Sequence, residues 1–178
     1  WFEGEAADQL ESAEEAEFVK AEAKRYGYPF VSKSLDIKFI ASQRKTGIEE
    51  TARIERYQFL FDIARESKSE AVVVAHQADD QVETILMNLI RGSGLDGLAG
   101  MKTRAVGVFN EKIPVLRPLL NISRESILEY CDFHHVPYKV DSTNMEGDNL
   151  RAKLRNSIIP DIKKLNPKFL KSINRLNQ

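Results

Sequence analysis

Residues 71–100 read AVVVAHQADDQVETILMNLIRGSGLDGLAG, and the order of elements in this stretch sets the fold class. Residues 71–75 are an unbroken apolar run, the pattern of a strand covered on both faces. Residues 76–80 form a polar turn. Val82, Ile85, Leu86, Leu89 and Ile90 then recur at helical spacing, and Gly92 is placed to stop the helix. A glycine-rich loop, residues 91–100, follows. In open α/β sheets, ligands bind beyond the carboxyl ends of the strands. His76, Asp79, Asp80 and Glu83 occupy that position.

Upstream of this stretch, Ser12 and Glu15 form a capping-box pattern that predicts a helix to about residue 26, with Ala16, Val19, Ala23 and Tyr26 facing inward. Residues 29–37 read as a strand and 38–47 as a polar connection. A second helix is expected over 48–66, with Ala52, Phe59, Leu60 and Ile63 inward and Arg53 and Arg56 on its flank. Downstream, 101–112 is a connection or weak hairpin. Residues 113–117 form a short strand whose Pro114 suggests an edge or strand-end position. Ser123 caps a helix ending near His134, and 137–140 is extended. Residues 141–144 turn into a helix over 149–165, interrupted at Pro160, and a last helix covers 167–176. This alternation predicts an α/β domain with a parallel, Rossmann-like sheet flanked by helices, over residues 1–145. Residues 146–178 read as a small helical extension.

Composition narrows the class further. The chain has 178 residues, 42% hydrophobic and 30% charged, in the range of an ordinary globular domain. No apolar run approaches the ~18 residues of a membrane span, and no signal-peptide pattern occurs. The single cysteine, Cys131, excludes a disulfide framework and a cysteine metal cluster. A cytoplasmic protein without membrane partners is expected. The net charge of −1 hides an asymmetry. Glu3, Glu5, Asp8, Glu11, Glu14, Glu15, Glu17 and Glu22 crowd the start against Lys20. Arg151, Lys153, Arg155, Lys163, Lys164, Lys168, Lys171 and Arg175 crowd the end against Asp161. Such a basic end is either a phosphate-facing surface or a solvated helix face.

Several side chains carry chemistry in patterns that leave alternatives open. Asp79, Asp80 and Glu83 in a first helical turn are stabilised by the helix dipole, by ~0.3–1 kcal/mol each. Carboxylates so grouped could also share a Mg²⁺ with nucleotide phosphates, or hold a cationic amine. The loop Arg91, Gly92, Ser93, Gly94 lets backbone N–H groups approach a phosphate. It follows a helix rather than a strand, so it is neither a Walker A sequence nor a dinucleotide fingerprint. Arg53 and Arg56 suit either phosphates or surface pairing with Glu49, Glu50 or Glu55. Arg117 suits a capping role or a buried carboxylate. Arg151 and Arg155, spaced i, i+4, present forks that match phosphate oxygens.

Taken in order, these pieces resemble a known family. AHQADDQVETILMNLIRGSGLDGLAGM resembles the signature of the tRNA(Ile)-lysidine synthetases, of the N-type ATP pyrophosphatase (PP-loop) superfamily. GEAADQLESAEEAEFV, IEETARIERYQFL, IPVLRPLLNISRESILEYC and VDSTNMEGDNLRAKLRNSIIPDIKKLNP follow the family's order. The resemblance implies an adenine nucleotide alpha hydrolase-like fold and a carbon–nitrogen ligase of tRNA modification. ATP, with Mg²⁺, would adenylate the C2 oxygen of the wobble cytidine of tRNA(Ile) with a CAU anticodon. Free L-lysine would then displace AMP to give lysidine. It further implies catalytic roles for Asp79, Asp80, Glu83, Arg53 and Arg56, with Asp80 and Glu83 as the Mg²⁺ ligands. His76, Arg91, Gly92 and Gly94 would meet the nucleotide. Arg117, Asp141, Asn144, Arg151 and Arg155, with Ser142, would meet lysine or tRNA. A homodimer is left open.

Two departures from the family pattern stand out. The phosphate loop Ser-Gly-Gly-x-Asp-Ser does not occur in the chain. It would follow a first strand ahead of Trp1, so the chain is expected to lack that strand, loop and helix. Arg151-Ala152 stands where the family commonly has Arg-Asn, which removes an amide donor. The C-terminal tRNA-binding domains of longer members are expected to be missing or reduced to the last helices. A non-catalytic RNA- or nucleotide-binding module of the same fold is the alternative.

Overall fold

The structure, a computed structural model, describes residues 6–139 and 150–175. The chain divides into two compact units, Trp1–Ser69 and Glu70–Gln178.

The first unit is helical. Helix α1 (Ala6–Arg25) begins before the capping box expected at Ser12, so Ser12 lies inside the helix rather than at its cap. Its expected inner stripe is not buried: Ala16 and Ala23 are half-buried, and Val19 and Tyr26 are 44% and 57% exposed. The strand expected over 29–37 does not form, and the polar connection after it is helix α2 (Ile37–Arg44). Asp36 starts α2 by accepting the Phe39 N–H at 2.8 Å, while Ile37 and Ala41, one turn apart, are buried. Pro29, Phe30 and Val31 suggest the start of a strand. The N-cap followed by an i, i+4 apolar pair outweighs them. Helix α3 (Ile48–Glu66) has the bounds expected of it. Its buried side chains are Thr51, Glu55, Tyr57, Phe61 and Ala64, whereas Ala52, Phe59, Leu60 and Ile63 are half-buried. Thr51 and Glu55 tolerate burial because each has a partner: Thr51 Oγ1 donates to Gly47 O at 2.9 Å, and Glu55 pairs with Arg44 at 2.7 Å.

The second unit holds a three-stranded sheet in the order β1-β3-β2. The strands are β1 (Val72–Val73), β2 (Arg104–Ala105) and β3 (Val115–Leu116). β1 runs parallel to β3, with Val72 opposite Val115, and β2 runs antiparallel to it, with Ala105 opposite Val115. Alternation puts Val72 and Val115 inside. Val73 is 62% exposed, so the two-sided cover expected of this strand is one-sided. Pro114 precedes β3 and offers its carbonyl to Val72 N–H. It therefore marks a strand end, while β3 itself is central rather than an edge. The hairpin character expected of 101–112 is the β2–β3 pair together with a 3₁₀ turn at Val108–Asn110.

Helix α4 (Ala78–Ile90) follows β1, and Gly92 (φ +73°) turns the chain out of it into the short helix α5 (Leu95–Leu98). Helix α6 (Arg124–Phe133) begins at Ser123, whose side chain accepts the Ser126 N–H. The helix interrupted near Pro160 is observed as α7 (Leu150–Lys153), a π-helical turn (Leu154–Ile158) and α8 (Ile159–Leu165). Proline has no N–H for the i−4 carbonyl, and the π turn sits in the residues just before it. The last helix, α9, spans Phe169–Asn174.

These C-terminal helices pack on α4. Val82 of α4, Leu154 and Ile159 make one buried cluster, with Leu86, Met87, Leu150, Phe169, Leu170 and Ile173 packed around it. The second unit thus runs from Glu70 through the C-terminal helices, which cover the apolar face of α4.

Candidate active site

The amino-terminal end of α4 and the helices packed on it enclose a cleft of about 510 Å³. Gln77, Asp79, Glu83, Arg124 and Arg155 line it, with Ile159, Pro160, Lys163 and Lys164 on the α8 side. Four cations thus face two carboxylates.

Glu83 lies at the centre of the charge network and is 2% exposed. Arg155 grips it with both arms of the fork, Nε to Oε1 at 2.6 Å and Nη2 to Oε2 at 2.9 Å. Arg151 Nε adds a third bond to Oε2 at 3.0 Å, and its Nη2 reaches Thr84 Oγ1 at 3.4 Å. The i, i+4 spacing of the two arginines survives passage through the π turn, so both converge on one carboxylate. A carboxylate so deeply buried is tolerated only when paired and fully hydrogen-bonded. The bond to Glu83 is the main cause that raises the Arg155 pKa above its ordinary value; burial opposes it, and the charges of Glu83, Asp80 and Asp79 reinforce it.

The two aspartates have divided duties. Asp80 Oδ2 accepts the Gln77 N–H at 3.0 Å, capping α4, while Oδ1 stands 3.5 Å from Arg155 Nη2. Asp79 Oδ2 accepts the Arg124 N–H at 2.9 Å, tying the start of α6 to the start of α4. Capping, one of the alternatives at the level of sequence, is observed for Asp80. Asp79 lines the cleft and gives its backbone partner only one oxygen.

Asp80 and Glu83 do not fit the Mg²⁺ site expected of them. Both Glu83 oxygens carry guanidinium bonds, Asp80 is shared between a backbone N–H and Arg155, and the nearest charges are cations. Among the described residues, no three His, Cys, Asp or Glu side chains gather where they could hold a metal.

Other candidates lie elsewhere. Arg117 is 6% exposed, and its Nη1 donates to Lys102 O at 2.9 Å. It is fastened inside the sheet and does not line the cleft. His76 is half-buried between β1 and α4. Arg91 is the C-cap of α4 and Gly94 the N-cap of α5. The glycine loop they belong to is pinned to α4 rather than loose. Gln81 donates to Met101 O at 2.9 Å and accepts Met101 N–H at 2.7 Å, and Asn88 donates to Gly97 O at 2.8 Å. Gly100 (φ +61°) packs so closely that a Cβ there would come within 2.8 Å of the Gln81 amide. Arg53 and Arg56 are exposed on α3 of the first unit, where Arg53 approaches Glu50 at 3.8 Å, the surface pairing weighed for it. Asp141, Ser142 and Asn144 lie outside the described residues. Sequence reasoning missed Gln81, Asn88 and Arg124. Nothing local singles out Arg124, whereas Gln81 and Asn88 could have been suspected as uncharged amides on the helix that leads into the glycine-rich loop.

Residues 8–162 match the family model of the PP-loop domain. The chain belongs to the PP-loop family. It is 35% identical to the tRNA(Ile)-lysidine synthase of Clostridium acetobutylicum over 98% of its own length and 36% of that protein. Against the tRNA(Ile)-lysidine synthase of Geobacter sulfurreducens it is 35% identical, over 88% of the chain and 32% of the relative. The chain thus spans about a third of the length of these relatives. Among solved structures, the U34-tRNA thiolase of Methanococcus maripaludis superposes with a TM-score of 0.66 at 20% identity, over 97% of this chain and 57% of that one. That likeness establishes the fold: this PP-loop domain has the adenine nucleotide alpha hydrolase-like architecture. Among the described residues, no helix is long and apolar enough to cross a membrane.

Proposed function

We propose that this PP-loop domain belongs to an ATP-dependent tRNA-modifying ligase that joins lysine to C2 of the wobble cytidine of tRNA(Ile), forming lysidine. The C2 oxygen attacks the α-phosphorus of ATP and diphosphate leaves. The ε-amine of free lysine, once deprotonated, attacks C2, and AMP departs with the former C2 oxygen. Collinear similarity to lysidine synthases supports the reaction class. The observation that carries it on this chain is the two-sign cleft at the head of α4.

An amino acid is a two-sign ligand. Asp79, with one oxygen committed to Arg124 N–H, keeps the other for an ammonium or for the proton that the amine must lose. Arg124 and Arg155 present cations to a carboxylate or phosphate on the same cleft. Glu83, itself anchored by Arg151, holds Arg155 in place, so their catalytic role is positional. His76, Arg91, Gly92 and Gly94 are proposed for the nucleotide, and Arg53, Arg56, Asp141 and Asn144 for phosphate or tRNA. Any Mg²⁺ would accompany the ATP phosphates rather than the Asp80–Glu83 pair.

The test incubates the full-length protein with tRNA(Ile) transcript, ATP, Mg²⁺ and labelled lysine. Label should appear in the RNA. An intact preparation that binds tRNA but transfers no lysine sinks the proposal in favour of a binding module. Asp79→Asn keeps an acceptor for Arg124 N–H, so it should leave stability nearly unchanged while lowering kcat/KM by about 10²-fold, the scale of removing an acid–base group.

A further inference from the structure

Helix α9 faces two environments. Phe169, Leu170 and Ile173 pack on the α4 cluster. At 3.6 residues per turn, Lys168, Lys171 and Arg175, at i, i+3 and i+7, fall on the opposite face. All three are exposed. Lys163, also exposed, stands on the rim of the cleft. Among the described residues none of these four cations has a carboxylate partner; Arg175 reaches only Ser172 Oγ, at 3.4 Å. Lys164 differs, because Asp161 holds it at 2.8 Å and raises its pKa. Elsewhere the chain pairs its exposed cations readily, as Lys20 with Glu17 and Arg25 with Glu22. Among the described residues the α9 face is an unneutralised row next to a polar cleft.

We propose that Lys168, Lys171 and Arg175, continued by Lys163 at the cleft rim, form a track for RNA phosphates. The surface rests on the tRNA reading of the cleft and extends it to where the backbone of that RNA runs. Side chains three or four apart on a helix have Cβ atoms about 5–6 Å from one another, so the row can address several phosphates of one strand at once. Within residues 166–175 no large apolar side chain is exposed, but Leu165, between Lys163 and Lys168, is 88% exposed, so a membrane surface is an outcome that the test separates from RNA. Phosphate binding of this kind sets affinity and orientation and is blind to base sequence.

The experiment measures binding of unmodified tRNA(Ile) transcript to the full-length protein across a salt series, wild type against the Lys168→Gln, Lys171→Gln, Arg175→Gln triple variant. The salt slope of log affinity should fall by about 2–3, at ~0.7–0.9 for each phosphate that the variant leaves unneutralised. An unrelated tRNA should lose affinity equally, and the thermal midpoint should not move. An unchanged slope overturns the track. So does loss of binding to phosphatidylserine vesicles or polyglutamate with tRNA binding intact, which would assign the face to a membrane or an acidic protein. Lysine transfer by the wild-type protein is measured separately. Its failure removes the ligase reading, whereas the slope alone decides the track.

Discussion

Around Glu83 and along α9, the second unit carries charges of the same kinds under opposite conditions. At Glu83 one carboxylate, 2% exposed, is gripped by two arginines that arrive from about seventy residues downstream. Along α9 the cations stand in water with no carboxylate partner among the described residues. Charge in the first place is architecture. Removing a member leaves an ion in a medium that cannot solvate it. Charge in the second place is available to a ligand, because solvated cations contribute little to folding and much to long-range attraction.

The comparison is tested most severely by Arg155→Met. Glu83 would keep a single arginine, and chemical denaturation should show a loss of about 3–5 kcal/mol, the scale for breaking a buried pair. Adding Glu83→Leu should restore part of that loss, since the stranded charge is then gone. If Arg155→Met is neutral, Arg155 does not hold the network and Arg151 alone suffices for Glu83.

Gln81→Met tests the neutral counterpart of the same principle. It strands the Met101 N–H and carbonyl, both now satisfied by one amide. A loss of about 2–4 kcal/mol is expected at ~1–2 per group, with faster proteolysis across residues 91–100. A stable variant with an intact loop would mean that the loop is held by something other than α4.

Ser123→Ala, at the α6 cap, should cost only about 1 kcal/mol, because an exposed cap can be replaced by water. A larger loss would show that Asp79 and Arg124 depend on this cap, making the start of α6 part of the charged centre rather than its border.

Where local chemistry decides structure, the sequence was legible. The apolar spacing of α4, its stop at Gly92, the extent of α3 and the Ser123 cap all depend on residues within a turn or two of one another. Strand signals misled at 29–37, where Phe30 and Val31 start no strand and Asp36 instead caps a helix. The cleft was legible only in part. Asp79, Asp80 and Glu83 were marked by their place after a strand, and Arg151 and Arg155 by their spacing. That all of them meet was not, nor that Gln81 fastens the loop.

Sequence by itself determined that this is an α/β chain with an acidic turn at the head of α4 and a basic end, and the order of its motifs pointed to the PP-loop family. Tertiary structure alone decided what the carboxylates do. A first-turn Asp or Glu looks the same whether it caps a helix, holds a metal or binds a guanidinium. The choice depends on which groups the fold delivers across many tens of residues, and here it delivers two arginines to Glu83, a backbone N–H to each aspartate, and solvent to the cations of α9.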